Sequence, residues 1–135
     1  MTATDGRPFF FDTSVLIAYF SSEDTKSEAL IEDVLNGMVV GAVSAITVAE
    51  LWSLRDMNDA DIQRRRQAVI QLMEIVPVDT SVAQRGGAIR RTYGLKLPDA
   101  LVVACCQTAG GQFFSKDPHF QRVLNANEIP GEVYS

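Results

Sequence analysis

Histidine and cysteine are scarce in this chain: His119 is the single histidine, and the two cysteines, Cys105 and Cys106, are neighbours in an apolar segment. That scarcity excludes a disulfide scaffold, because adjacent cysteines cannot form an ordinary structural bridge with each other and read as small core residues. It also excludes a zinc site of the usual nitrogen and sulfur ligands. Any metal must be held by oxygen. Long apolar runs are missing too: the segment from Ala100 to Cys106 falls far short of the ~20 residues that span a bilayer. The first residues lack a basic-then-apolar signal pattern, so no membrane association and a cytoplasmic location are expected.

An excess of positive charge is the third thing lacking. Twelve Lys and Arg stand against seventeen Asp and Glu, a net charge of −5, which argues against a binder that gains its affinity simply by neutralising phosphates. Four carboxylates assigned to a metal site would bring the remainder close to neutral and leave room for a local basic surface. With 47% hydrophobic residues over 135 positions, the chain can build a sizeable core. No Pro/Gly/Ser-rich linker, repeat or low-complexity stretch divides it, so one domain over 1–135 is expected, with 1–7 as a loose N-terminal tail.

What is present is an alternation of short apolar segments and helical patterns. Phe9 to Phe11 reads as a strand buried on both faces. Helices are expected over Val15 to Phe20 and Lys26 to Leu35, then a strand over Val39 to Val43 and a helix over Ile46 to Leu54. A longer amphipathic helix spans Ala60 to Glu74, with Ile62, Val69, Ile70 and Met73 facing inward. Ile75 to Val78 is the next strand, Ser81 to Tyr93 a helix ended by Gly94, and Pro98 opens an apolar helix ended by Gly110. Gln112 to Phe114 and Glu132 to Tyr134 complete the strands. Strands separated by helices require crossover connections, hence a mostly parallel α/β sheet with helices on both faces. Ligands gather at the carboxyl ends of such strands.

Four acids fall where that rule matters. Asp12 ends the Phe9 to Phe11 run and is followed by Thr13 and Ser14; as local pattern it is equally a helix N-cap. Glu50 stands between Ile46 and Leu54 in an otherwise apolar stripe. Burial of an unpaired charge is costly, so Glu50 must be neutralised, exposed at a cleft or bound to a cation, with Arg55 as a possible ion-pair partner. Asp99 follows Pro98 at a helix start, a common structural arrangement, yet Val102 and Val103 place it on an apolar face. Asp117 precedes Pro118 and taken alone reads as the N-cap of a helix over His119 to Leu124. Brought together, four carboxylates would repel one another unless divalent cations compensate. Mg²⁺, or Mn²⁺ as a substitute, suits an oxygen-only donor set and keeps waters that can attack a phosphodiester.

This pattern resembles the PIN-domain nucleases, most closely the small toxin ribonucleases of VapBC toxin-antitoxin systems. Phe11-Asp12-Thr13-Ser14-Val15-Leu16-Ile17 is similar to their first motif and Thr47-Val48-Ala49-Glu50-Leu51 to the second. Leu97-Pro98-Asp99-Ala100-Leu101-Val102 matches the third, and Phe114-Ser115-Lys116-Asp117-Pro118-His119-Phe120 resembles the fourth, with Ser115 where Thr is common. The resemblance covers nearly the whole chain. It implies a three-layer α/β/α sandwich with a five-stranded parallel sheet, and a Mg²⁺-dependent endoribonuclease whose catalytic residues are Asp12, Glu50, Asp99 and Asp117. Asp12 and Asp99 would ligate metal, with Glu50 and Asp117 binding directly or through water and Thr13, Ser14 and Ser115 in support. It further implies homodimerisation, inhibition by a cognate antitoxin, and structured RNA such as tRNA or rRNA as substrate.

Arg85, Arg90, Arg91 and Lys96 precede the third motif and are candidates for an RNA-binding rim; Arg64 to Arg66 read more simply as a solvated helix face. Trp52 and the phenylalanines read as core. The alternatives are a PIN nuclease that processes RNA without being a toxin and an inert PIN binding module. A phosphoacceptor receiver domain is disfavoured because Thr13 and Ser14, not a second acid, accompany Asp12.

Overall fold

The computed structural model describes residues 6–135. Most of the expected 1–7 tail therefore lies outside the described residues.

Five short strands, β1 (Phe9–Phe11), β2 (Gly41–Ser44), β3 (Glu74–Val76), β4 (Gln112–Ser115) and β5 (Gly131–Val133), form one sheet in the order β3-β2-β1-β4-β5. Every neighbouring pair is parallel. The helices are α1 (Thr13–Phe20), α2 (Thr25–Leu35), α3 (Ala45–Trp52), α4 (Ala60–Ile70), α5 (Thr80–Tyr93), α6 (Leu97–Ala109) and α7 (Gln121–Asn125), with single 3₁₀ turns at Arg55–Asn58 and Pro118–Phe120. No helix among the described residues is long and apolar enough to cross a membrane.

The alternation of side chains along the strands builds two cores, one on each face. Phe10, Ala42 and Phe113 point to the layer of α5, α6 and α7, where Val82, Ile89, Val103 and Val123 meet them. Phe9, Phe11, Val43 and Phe114 point to the opposite layer, packing with Val15, Leu16, Ile31, Leu51 and Ile70. All three residues of β1 are fully buried, as expected for a central parallel strand covered on both sides. The result is the expected α/β/α sandwich.

Local chemistry explains most boundaries. Aspartates or serines cap six of the helical segments: Asp12, Asp24, Ser44, Asp59, Asp79 and Asp117 each accept from a backbone N–H of the following turn. Gly94 and Gly110 end α5 and α6 in the left-handed conformation. Gly86 lets α5 lie close on α6, since a Cβ there would stand 2.6 Å from Leu101 Cδ2. That packing holds the start of α6 over the sheet.

Three expectations shift. The Ala60 to Glu74 helix stops at Ile70, and Glu74 belongs to β3; Met73 is buried beside the sheet while Ile62 and Val69 are only half-buried. The helix expected up to Leu54 ends at Trp52 and passes into the 3₁₀ turn at Arg55–Asn58. The helix expected over His119 to Leu124 divides into a 3₁₀ turn and α7. In each case a short connection had to turn the chain, which periodicity alone does not register.

Candidate metal centre

The four acids occupy the carboxyl end of the sheet. Asp12 leaves β1 directly, and its backbone N–H donates to Phe114 O at 3.0 Å, continuing the β1–β4 ladder into the site. Asp12 is only 7% exposed. Oδ2 accepts from Ser14 Oγ at 2.7 Å and from Ser115 Oγ at 2.9 Å, besides the longer capping bond from Ser14 N. Burial raises the Asp12 carboxyl above the ordinary aspartate value, and the Ser14 and Ser115 hydroxyls oppose it. Asp12 is a cap, as its sequence neighbours allow, but the other capping aspartates lack this buried setting between two hydroxyls.

Ser115 and Ser14 tie the first and fourth motifs together. Ser115, fully buried at the end of β4, accepts from Asp117 N at 2.9 Å while donating to Asp12. Ser14 Oγ accepts from Lys116 N at 2.9 Å. Asp117 in turn accepts from His119 N at 2.9 Å, and His119 Nδ1 lies 2.8 Å from the same oxygen. The hydroxyls thus fix where the first and fourth acids stand relative to each other.

Glu50 enters from α3. Its Oε1 lies 2.5 Å from Thr13 Oγ1, which is itself 3.0 Å from the hydroxyl of Thr47. Glu50 is exposed rather than embedded in the apolar stripe: Ile46 and Leu54 are only half-buried, and α3 presents the carboxylate at the open end of the sheet. Of the outcomes open to it, exposure is the one realised. No ion pair joins it to Arg55 among the described residues. Thr47 is a residue that sequence reasoning left without a role. The signal was available, since Thr47 and Glu50 are three apart on one helix and so share a face.

Asp99, in the first turn of α6, is half-buried. Its carboxyl is pushed above the ordinary value first by burial, then by the negative charges of Asp12, Asp117 and Glu50, with Lys96 acting in the opposite sense. All four acids therefore face one region. Among the described residues, no three His, Cys, Asp or Glu side chains are gathered closely enough to enclose a metal ion as they stand. The donor chemistry nevertheless fits a hard divalent cation: oxygen only, one carboxylate desolvated, and mutual repulsion that a positive charge would relieve.

The candidate basic residues separate. Arg85 is half-buried and hydrogen-bonded to Thr108 Oγ1, near the end of α6 remote from Asp99. Arg90 and Arg91 lie exposed in the last turn of α5, and Lys96, exposed just before α6, is the basic residue whose charge reaches Asp99. Lys116 is not available in the same way, because its Nζ is held by Glu23 at 2.7 Å and Asp24 at 2.5 Å. Arg66 is paired with both oxygens of Asp56, and Arg64 with Asp61.

A family model for the PIN domain matches residues 9–125. The chain belongs to the PIN-domain family. A search by sequence among curated proteins gives no match. Solved structures similar to this PIN domain include a toxin-antitoxin complex from Klebsiella pneumoniae, at 25% identity and a TM-score of 0.70 over 90% of this chain and 94% of that one. VapBC2 from Rickettsia felis bound to a DNA fragment from its promoter gives 14% identity and a TM-score of 0.74, covering 94% of this chain and 98% of that one. The DNA-bound VapBC from Salmonella typhimurium gives 19% and 0.69, covering 96% and 99%. At 14% and 19% identity the last two speak for the fold alone. The matched span contains all four acids.

Proposed function

We propose that this PIN domain is a divalent-metal-dependent endoribonuclease, the toxin of a VapBC-type pair, with Asp12, Glu50, Asp99 and Asp117 as its catalytic acids. The reading rests on the convergence of Asp12, Glu50 and Asp117, from three other segments, on half-buried Asp99, whose proton affinity is raised first by burial and then by those three charges. Mg²⁺ is the physiological metal and Mn²⁺ its substitute. Asp12 and Asp99 would hold it, with Glu50 and Asp117 directly or through water; a metal bound there would supply a Lewis acid and lower the pKa of a water.

The chain's own residues perform the rest. Ser14 and Ser115 fix the Asp12 carboxylate through Oδ2. Thr13 orients Glu50, which as an exposed carboxylate can take a proton from an attacking water. Arg90, Arg91 and Lys96 receive RNA phosphates at the rim; Arg85, engaged with Thr108, serves the α5–α6 packing instead. Hydrolysis this way leaves a 3′-hydroxyl and a 5′-phosphate.

The protein acts in the cytoplasm as a homodimer, over one domain, and is inhibited by a cognate antitoxin. A groove of about 770 Å³ lined by Tyr19, Phe20, Ile62 and Val69, together with Arg65, Glu28 and Glu32, offers that partner apolar contact with charges of both signs. Structured RNA such as tRNA or rRNA is the substrate class. Sequencing RNA 5′ ends after brief expression of the parent and of Asp12→Asn tests the reading. Discrete new 5′-phosphate ends with the parent alone are expected; identical end profiles for both proteins would overturn it.

A further inference from the structure

We infer that Thr47 is a positioning residue for the site, acting on Glu50 through Thr13; the inference rests on the metal-dependent reading above. The Thr13 hydroxyl carries one proton and has two acceptors in reach, Glu50 Oε1 at 2.5 Å and Thr47 Oγ1 at 3.0 Å. It donates to one at a time. The carboxylate is the stronger acceptor. When Glu50 gives its charge to a cation, that advantage falls.

Thr13 is 9% exposed and Thr47 is fully buried, so water does not readily replace a lost partner, and a buried donor left unpaired is costly. Thr47 removes that cost. It stands on the preceding turn of the same helix face as Glu50, as a desolvated acceptor already in contact with Thr13. Thr13 can then release Glu50 and remain satisfied. The pair works as a two-position support, with Thr13 on Glu50 in one position and on Thr47 in the other. Ser14 and Ser115, 3.4 Å apart, both donate to Asp12, so among the described hydroxyls it is Thr13 that serves Glu50.

The test uses the full chain and two readouts, Mn²⁺ affinity measured by titration calorimetry and cleavage rate on a fixed RNA. Thr47→Val keeps the volume and removes the hydroxyl, and Thr47→Ser restores it. The expected result is an Mn²⁺ affinity lowered about three- to tenfold in Thr47→Val, a comparable fall in kcat with KM for RNA unchanged, and recovery of both in Thr47→Ser. In Thr13→Val the further change Thr47→Val should cost little, because the route through Thr13 is already gone. Parent-like Mn²⁺ affinity in a folded Thr47→Val would overturn the inference while leaving the metal reading intact. Should Thr47→Val not fold, a full additive loss on combining Thr13→Ala with Thr47→Ala, or a Thr47→Ser no better than Thr47→Ala, would overturn it equally. A parent chain that binds no Mn²⁺ would remove both readings at once.

Discussion

Ser115 donates to Asp12 Oδ2 at 2.9 Å, joining the ends of β4 and β1, two strands paired in parallel with Phe114 opposite Phe11. The same hydroxyl oxygen accepts from Asp117 N. One buried side chain therefore sets the separation of the first and fourth acids, and it does so from a strand end, where the backbone is least free to move. Any account in which Asp12 and Asp117 act on the same cation depends on that hydroxyl.

Ser115→Ala should lower the cleavage rate roughly ten- to a hundredfold, the range for losing a hydrogen bond to a charged acceptor. Ser115→Thr should retain most of it, because the hydroxyl is preserved. Steady-state cleavage of one defined RNA by the three proteins checks this. Equal losses in both variants would point to packing rather than to the hydroxyl.

Asp99→Asn should stabilise the protein in EDTA, since burial and three like charges oppose its ionised form. Thermal unfolding with and without Mn²⁺ reads the effect. The expected pattern is a higher Tm than the parent in EDTA and a smaller rise on adding Mn²⁺. A cap or a helix-dipole residue would behave oppositely and lose stability on substitution.

Much of this was legible in the sequence. The parallel sheet follows from buried strands alternating with helical patterns, and the Phe9 to Phe11 run reports a strand covered on both faces. Asp12, Asp99 and Asp117 could be placed at element ends from their neighbours alone. What could not be read was the environment of each acid. Glu50 seemed anomalous because its neighbours are apolar, yet α3 presents it at the open edge, and the cost of burial never arises. Conversely, Asp12 resembled an ordinary cap, and only the meeting of β1 with β4 reveals its burial between two hydroxyls. Arg85 differs from Arg90 and Arg91 for a similar reason: helical phase relative to α6 decides which arginine faces Thr108. Glu23 and Asp24, which hold Lys116, lie over ninety residues away in sequence, beyond any local pattern.

Charge reversal at Arg90 and Arg91 together should weaken RNA binding and flatten its dependence on salt, because phosphate contacts release counterions. Arg85→Ala should leave RNA affinity unchanged and lower stability instead, through loss of its bond to Thr108. Filter binding across a salt series, with unfolding curves for both proteins, separates the two. A parent-like salt slope in the double reversal would remove these residues from the RNA rim.

Acid should loosen the α4 side of the fold through Asp56. The two bonds from Arg66 hold its carboxyl below the ordinary value. A lowered folded-state pKa contributes stability that is present above the ordinary aspartate value and is lost as pH falls through the folded one. Asp56→Asn should therefore be less stable than the parent at neutral pH, with the difference closing in strong acid. Unfolding midpoints measured from neutrality downward check this, and a constant difference at all pH values would assign the effect to something other than the ion pair.

Four carboxylates acting together around a divalent cation would make cleavage depend on that cation. The most direct measurement is cleavage of a defined RNA by the purified chain over a Mg²⁺ titration, with Asp99→Asn assayed in parallel and its fold verified. The account predicts no cleavage in EDTA, saturable activation of the parent by Mg²⁺ or Mn²⁺, and loss of activity in Asp99→Asn at every metal concentration. Cleavage in EDTA at the activated rate, or parent-like turnover by Asp99→Asn, would contradict it.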